Sequence, residues 1–160
     1  MHQKAWLRSL ALLLLCPGLA LAQTNWPDFM PTLNPGLSTS PVEVVVSSSL
    51  TVEPPAPDVP PAKARWSGKW SGWACQDQVC DTKLVVLNVT AEGATIIYAF
   101  ASASVKPFIA RVEAKFFGDE LQATLRGGAK LAYRMRKEGD LEFLWRSGGQ
   151  WAAGILSKDK

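Results

Sequence analysis

The stretch that decides the fold is Phe108-Ile109-Ala110-Arg111-Val112-Glu113-Ala114-Lys115-Phe116. Its residues alternate in polarity with a period of two, which is the period of a β-strand and not of an α-helix. One face carries the apolar set Phe108, Ala110, Val112, Ala114 and Phe116. The other carries Ile109, Arg111, Glu113 and Lys115. The pattern predicts a strand with one buried face and one hydrated face.

The same alternation recurs on both sides of this stretch, and no segment after Trp66 has a helical period. Glycine-containing pairs such as Glu92-Gly93 and Gly118-Asp119 separate the apolar runs and predict tight turns. We predict strands at about 66–73, 83–89, 95–101, 108–116, 120–125, 130–136, 140–145 and 150–156. Since closure removes exposed strand edges, the predicted fold is all-β, an antiparallel up-and-down meander closing into a small, roughly eight-stranded barrel.

Residues 1–22 have the pattern of a secretory signal peptide. Lys4 and Arg8 provide a positive start, an apolar run follows, and Ala20-Leu21-Ala22 is a small-x-small cleavage site. The apolar run is short and is interrupted by Pro17-Gly18, which disfavours a transmembrane helix. We therefore expect a bacterial protein that is exported to the periplasm or secreted, with no integral membrane segment after cleavage.

Residues 23–65 are rich in proline, since nine of the eleven prolines lie between Trp26 and Pro61. Such a segment predicts a disordered linker that acts as a spacer, with the barrel domain spanning 66–160. Within it, residues 42–46 are strand-like in composition. They are interpreted either as a β-prone part of a disordered arm or as a segment that adds a strand to a partner's sheet.

The two cysteines that remain after signal cleavage are Cys75 and Cys80. An even count in an oxidising compartment predicts a structural disulfide. A redox pair or half of a thiolate metal site are the alternatives, but Asp77 and Asp81 would disfavour thiolates, and no further Cys or His pair completes a zinc site. We expect no metal and no cofactor.

The composition also argues against two classes of function, nucleic-acid binding and catalysis. Without Lys4 and Arg8, the 17 basic residues become 15 against 14 acidic ones, and this near-neutral balance argues against a nucleic-acid binder. The only histidine is His2, inside the signal, so the mature chain has no imidazole for nucleophilic catalysis. Acidic residues fall mainly in turns or, like Glu113 and Glu142, at predicted outward positions, which is typical of solvated charges. The sequence therefore predicts a protein that is not an enzyme.

Tryptophans and arginines are the candidate binding residues. Trp73 is predicted to be exposed beside the disulfide and to stack on a ligand, with Trp66 and Trp151 as further candidates. Arg111, Arg134 and Arg136 lie at outward positions of neighbouring predicted strands, where they form either a patch for an anionic partner or an ordinary soluble surface.

Gly68-Lys69-Trp70 on the first predicted strand resembles the Gly-x-Trp signature of lipocalins and related calycin barrels. That resemblance implies an eight-stranded barrel. Lipocalins pack an arginine from their last strand over this tryptophan, whereas residues 150–156 hold no basic residue. Residues 66–156 also look like small exported bacterial domains whose middle resembles Gly93-Ala94-Thr95-Ile96-Ile97-Tyr98. Because the predicted inward residues are bulky, we expect binding at the surface or the mouth and not in a deep cavity.

Two functions follow as expectations. The first is an exported binding module of the cell envelope, without catalytic activity, for a glycan, a small molecule or a protein. The alternative is a periplasmic inhibitor of a secreted protease or lysozyme, because small bacterial metalloprotease inhibitors resemble this chain in being exported eight-stranded barrels with one disulfide. In that alternative the residues before Trp66 occupy the enzyme's cleft, and trimming them leaves the fold intact.

Overall fold

The structure, a computed structural model, describes residues 24–27, 38–75 and 79–160. Each strand pairs antiparallel with the next, and the first pairs with the last, so that eight strands form a closed barrel. The elements are α1 (Pro61–Ala64), β1 (Gly68–Ala74), β2 (Cys80–Val89), β3 (Gly93–Ala101), β4 (Phe108–Phe117), β5 (Glu120–Thr124), β6 (Lys130–Met135), β7 (Leu141–Ser147) and β8 (Gln150–Lys158). The predicted meander and its closure are confirmed. The predicted signal peptide lies outside the described residues, among which no helix is long and apolar enough to cross a bilayer.

Inward-facing side chains fill the barrel. Tyr98 stacks on Phe143 with ring centroids 5.6 Å apart, and Tyr133 lies 5.3 Å from the same ring. Leu84, Ile96, Leu121 and Leu131 are fully buried around them. The alternation that predicts the inner face of β4 is confirmed for Ala110, Val112, Ala114 and Phe116, which all pack in or against this core. The predicted burial of Phe108 is wrong, because its ring lies at the end of the barrel, 6.2 Å from the Tyr98 ring and 44% exposed. An interior occupied by its own side chains leaves no calyx for a ligand.

The two tyrosines of the chain, Tyr98 and Tyr133, provide a test of this interior. Burial raises the pKa of both hydroxyls above their usual range. Below about pH 10 these tyrosines keep their protons in both the folded and the unfolded protein, and the folded state has its full stability. Above that pH the unfolded tyrosines lose their protons first, so the free energy of unfolding falls as the pH rises. In an alkaline titration, tyrosinate absorbance at 295 nm should therefore appear only together with loss of the β-sheet circular dichroism. Ionisation of either tyrosine near pH 10 in the folded protein would contradict a filled interior.

The outer face of β2 and β3 is apolar and covered, contrary to the expectation of one wet face on each strand. Val85, Leu87 and Ile97 point outward and pack against Val46, Leu50 and Val52. Val44 is fully buried against Ala99 and Ala101 of β3. The residues between 38 and 60, here called the arm, thus cover two strands of the barrel although they form no regular secondary structure.

Polar contacts fix the arm in place. The Val44 N–H donates to the Asp81 carboxylate at 2.7 Å, and the Lys83 ammonium lies 2.5 Å from Glu43. Further along, the Glu53 N–H donates to the Leu87 carbonyl at 2.7 Å. Burial raises the pKa of Asp81, and the Val44 N–H and Lys83 oppose that shift. The linker predicted for 23–65 is therefore corrected over its described part from 38 onward, because these contacts make the arm a layer of the folded domain and not a spacer.

One end of the barrel, where β1 begins, is closed by its own chain and is called the plugged end. Trp66 is buried there and meets Phe116 edge-on, with ring centroids 5.6 Å apart. Val59 belongs to the same core cluster, and the Lys63 ammonium of α1 lies 4.1 Å from the Phe116 ring centroid. The Trp70 indole N–H donates to the Trp66 carbonyl at 3.0 Å. The opposite end carries the Cys75–Cys80 disulfide, which confirms the predicted bridge, and is called the disulfide end.

Candidate interaction surface

Strand β4 continues beyond its partner on one side. It pairs with β3 from Phe108 to Lys115, whereas its pairing with β5 runs only from Ala114 to Phe117. The reason is local, because the chain turns back directly after β5, where the Leu125 N–H donates to the Ala129 carbonyl at 2.8 Å. Residues 108–113 therefore have a strand neighbour on the β3 side alone.

The direction of the backbone groups in this segment follows from one hydrogen bond. The Phe116 N–H donates to the Glu92 carbonyl at 2.7 Å, so the even-numbered residues of β4 direct their N–H and C=O groups toward β3. Because these groups alternate along a strand, Ile109, Arg111 and Glu113 direct theirs to the other side. No described residue accepts from or donates to these three backbones on that side. We call this row of groups the free edge.

Four exposed apolar side chains lie at the disulfide end, where the free edge begins. Val79 is 40% exposed, Val105 47%, Phe108 44% and Ile109 50%. Val79 precedes β2, Val105 lies in the β3–β4 connection, and Phe108 and Ile109 begin β4, so all four lie at the same end of the barrel. We call these four residues the apolar rim. Exposed apolar residues scattered singly need no explanation, but a group of them beside unpaired backbone marks an interaction surface.

The charged groups around the free edge are mostly basic. Lys106, Arg111 and Lys115 are exposed along it, and among the described residues none of them forms an ion pair. Glu113 is the acidic residue of the segment, and it accepts a hydrogen bond from the Thr95 hydroxyl at 3.0 Å. An approaching strand with acidic side chains would therefore meet a favourable potential.

The tryptophans predicted to bind a ligand are mostly buried. Trp73 points outward as predicted, but it is only 1% exposed, so the expectation that it stacks on a ligand is wrong. The arm crosses the outer face at Asp81, the cross-strand neighbour of Trp73 on β2. Trp66 is 2% exposed at the plugged end and cannot reach a ligand either. Trp151 is 37% exposed on β8, which makes it the most exposed of the three.

The predicted basic patch of Arg111, Arg134 and Arg136 does not form. Arg134 donates to Glu142 at 2.6 Å and lies under the Trp26 ring, 4.5 Å from its centroid. Arg136 lies 3.7 Å from the Glu138 carboxylate. Glu142, which the sequence predicts as a solvated charge, is only 4% exposed and forms an ion pair with Arg134. Arg111 alone remains exposed, on the free edge.

Comparison with known protein families, curated proteins and solved structures returns no match. The geometry of the chain is therefore the basis for assigning a function. In the described part of the chain, no group of three or more His, Cys, Asp and Glu side chains is placed to hold a metal ion.

Sequence reasoning missed the free edge and the apolar rim, although a signal for the edge was present. The predicted fourth strand spans 108–116 and the predicted fifth only 120–125, so a length mismatch between neighbouring strands was visible. In a meander, a short strand followed by a tight turn leaves part of its longer neighbour without a partner. The glycine pair Gly127-Gly128 marks the turn that causes it.

Proposed function

We propose that this chain is an exported envelope protein without catalytic activity, and that it binds an extended segment of a partner protein as an added strand along the free edge. The observation that carries this proposal is the free edge itself, where Ile109, Arg111 and Glu113 offer unpaired backbone groups next to exposed apolar side chains. Strand addition uses the partner's backbone for affinity and its alternate side chains for specificity.

A favourable free energy of binding requires both the backbone hydrogen bonds of the free edge and the burial of the apolar rim. A backbone hydrogen bond contributes a net ~1 kcal/mol, so a few of them do not overcome the cost of association, which is at least about 4 kcal/mol. Burial of apolar side chains on the rim has to supply the difference, at roughly 25 cal/mol per Å². Phe108 and Ile109 are the largest exposed side chains beside the edge and are the expected anchors.

The filled interior supports binding on the outside. Tyr98, Tyr133 and Phe143 occupy the middle of the barrel, and Trp66 closes the plugged end. A ligand inside the barrel would have to displace these rings, whereas the free edge is available without any rearrangement.

A lipocalin-like character of the barrel is supported by one contact beyond the Gly68-Lys69-Trp70 motif. The Lys158 ammonium, at the end of β8, lies 5.1 Å from the Trp70 ring centroid and donates to the Arg65 carbonyl at 3.2 Å. The last strand is longer than the sequence predicts, and it delivers a cation over the tryptophan where lipocalins place an arginine. We propose that Lys158 takes the part of that arginine.

An inhibitor of a secreted protease or lysozyme is one form of such a protein-binding module. The arm is not free to occupy an enzyme's cleft in the way the sequence suggested, because residues 42–53 are held on the outer face of β2 and β3. For an enzyme partner the contact surface would again be the free edge and the rim.

Replacement of Arg111 by proline tests the proposal. Proline removes the N–H that points to the free edge, and it is tolerated on an edge strand where that N–H faces solvent. With the mature protein immobilised in an envelope extract, we expect Arg111→Pro to retain at least tenfold less of the partner that the parent protein captures. The β-sheet circular dichroism should be unchanged.

The matched control is Arg111→Ala, which removes the same side chain and keeps the N–H. It should capture the partner within about threefold of the parent level. Equal capture by the proline and parent proteins would refute binding at the free edge, and recovery of polysaccharide without a protein would refute a protein partner.

A further inference from the structure

A groove lies on the outer face of β4 to β7 and borders the free edge at Glu113. It has a volume of about 520 Å³, which lies within the ~300–1,000 Å³ typical of ligand sites. Thr24 and Asn25 form one wall. The barrel contributes Lys115, Gln122, Thr124, Lys130, Leu144 and Arg146 to the lining.

The groove concentrates cations that have no acidic partner. Lys115, Lys130 and Arg146 line it and form no ion pair with any described residue, although Arg146 donates to the Asn25 carbonyl. Elsewhere on the barrel, Lys83 and Arg134 are paired with carboxylates. Against these three cations the groove lining contains one carboxylate, Glu113. The charge inside the groove is therefore positive.

The pairing register of β6 and β7 places two of these cations side by side, which destabilises the strand pair when no anion lies between them. Lys130 and Arg146 are direct cross-strand partners on β6 and β7, and both side chains point outward into the groove. Like charges directly opposite each other on one sheet face destabilise a strand pair. An anionic group between the two side chains would convert that repulsion into two charge-assisted hydrogen bonds.

The rest of the lining identifies the kind of anion. Leu144 and Ala132 lie buried beneath the lining, 1% and 6% exposed and packed against Trp26, so a ligand meets mainly polar groups. Thr24, Asn25 and Thr124 place hydroxyl and amide groups beside the cations. An inorganic ion would use the cations alone, whereas a saccharide has hydroxyl groups around its ring that can also bond to these neutral polar groups. We infer that the groove binds an acidic saccharide unit, with its carboxylate or phosphate between Lys130 and Arg146 and its hydroxyl groups toward Thr24, Asn25 and Thr124.

Calorimetric titration with defined probes tests this inference. Trigalacturonic acid supplies a carboxylate on each ring, mannose 6-phosphate supplies a phosphate, maltotriose is a neutral saccharide, and tripolyphosphate is an anion without a ring. We expect one or both acidic saccharides to bind and maltotriose not to bind. Lys130→Gln/Arg146→Gln should weaken that binding at least tenfold. The double variant Lys137→Gln/Lys160→Gln, which removes the same charge from exposed residues outside the groove, should change it less than twofold.

Three outcomes would overturn the inference. They are failure of both acidic saccharides to bind, equal weakening by the two double variants, and tripolyphosphate binding as tight as that of the acidic saccharides, which would show charge attraction alone. The inference does not depend on the proposed protein partner. Arg111→Pro should bind the saccharide normally, so loss of partner capture and loss of saccharide binding are separable results.

Discussion

Replacing Val44 by aspartate is expected to lower the free energy of unfolding by about 3–5 kcal/mol, the cost of an uncompensated buried charge. Val44 is fully buried between the arm and Ala99 and Ala101 of β3. Its backbone N–H donates to the Asp81 carboxylate at 2.7 Å, so a carboxylate at position 44 would lie near a second negative charge. Lys83, the cation beside Asp81, is already shared between Asp81 and Glu43, so the new charge loses its water without gaining a cation of its own. Urea denaturation followed by tryptophan fluorescence measures the effect.

Val45→Asp is the matched control, because the neighbouring side chain is 75% exposed. We expect it to change the stability by less than about 0.5 kcal/mol, as is usual for surface substitutions. Limited proteolysis adds a structural readout, since a detached arm should be cleaved between residues 38 and 60 in the Val44 variant and not in the Val45 variant. Equal stabilities and equal cleavage of the two variants would show that the arm contributes nothing to the fold.

The sequence predicted the barrel because polarity alternation and glycine turns are local signals. It did not predict the cover over β2 and β3, although their composition differs from that of β4. Residues 84–87 and 96–99 are continuous apolar runs, which indicate strands buried on both faces. Such strands require a second layer. The prolines of the arm correctly exclude regular structure over 38–60, but a chain without helix or strand can still pack.

The candidate site was less predictable because it depends on register. Trp73 points outward and is nevertheless 1% exposed, so its burial depends on parts of the chain outside its own strand. The partner of Arg134 is Glu142, and the two meet because β6 and β7 pair with these residues directly opposite each other. The free edge results from the difference in length between β4 and β5. Each of these features depends on how two elements pair or pack, and the residue pattern of one strand does not show that.

A large loss of stability is also expected from a substitution at the seam between β1 and β8, where the barrel closes. Here the two backbones approach closely, and a Cβ on Gly154 would lie 1.7 Å from the Trp73 carbonyl oxygen. That oxygen belongs to the backbone of β1, which pairs with β8 at Trp73 and Ile155, so it cannot rotate away as a side chain would. We expect Gly154→Ala to cost about 3 kcal/mol, the upper part of the range for inserting a methyl group into a packed site, because the strands must separate.

Gly127→Ala is the control for the added methyl group. A Cβ on Gly127 would meet nothing within 4 Å, and this glycine is not among those with positive φ, so alanine fits without strain. Because alanine also restricts the unfolded chain, we expect a change between zero and a gain of about 1 kcal/mol. Hydrogen exchange locates the effect, since the amides that bond β1 to β8 should lose protection in Gly154→Ala and keep it in Gly127→Ala. If Gly154→Ala is as stable as the parent and keeps these amides protected, the close approach of β1 and β8 is not what closes the barrel.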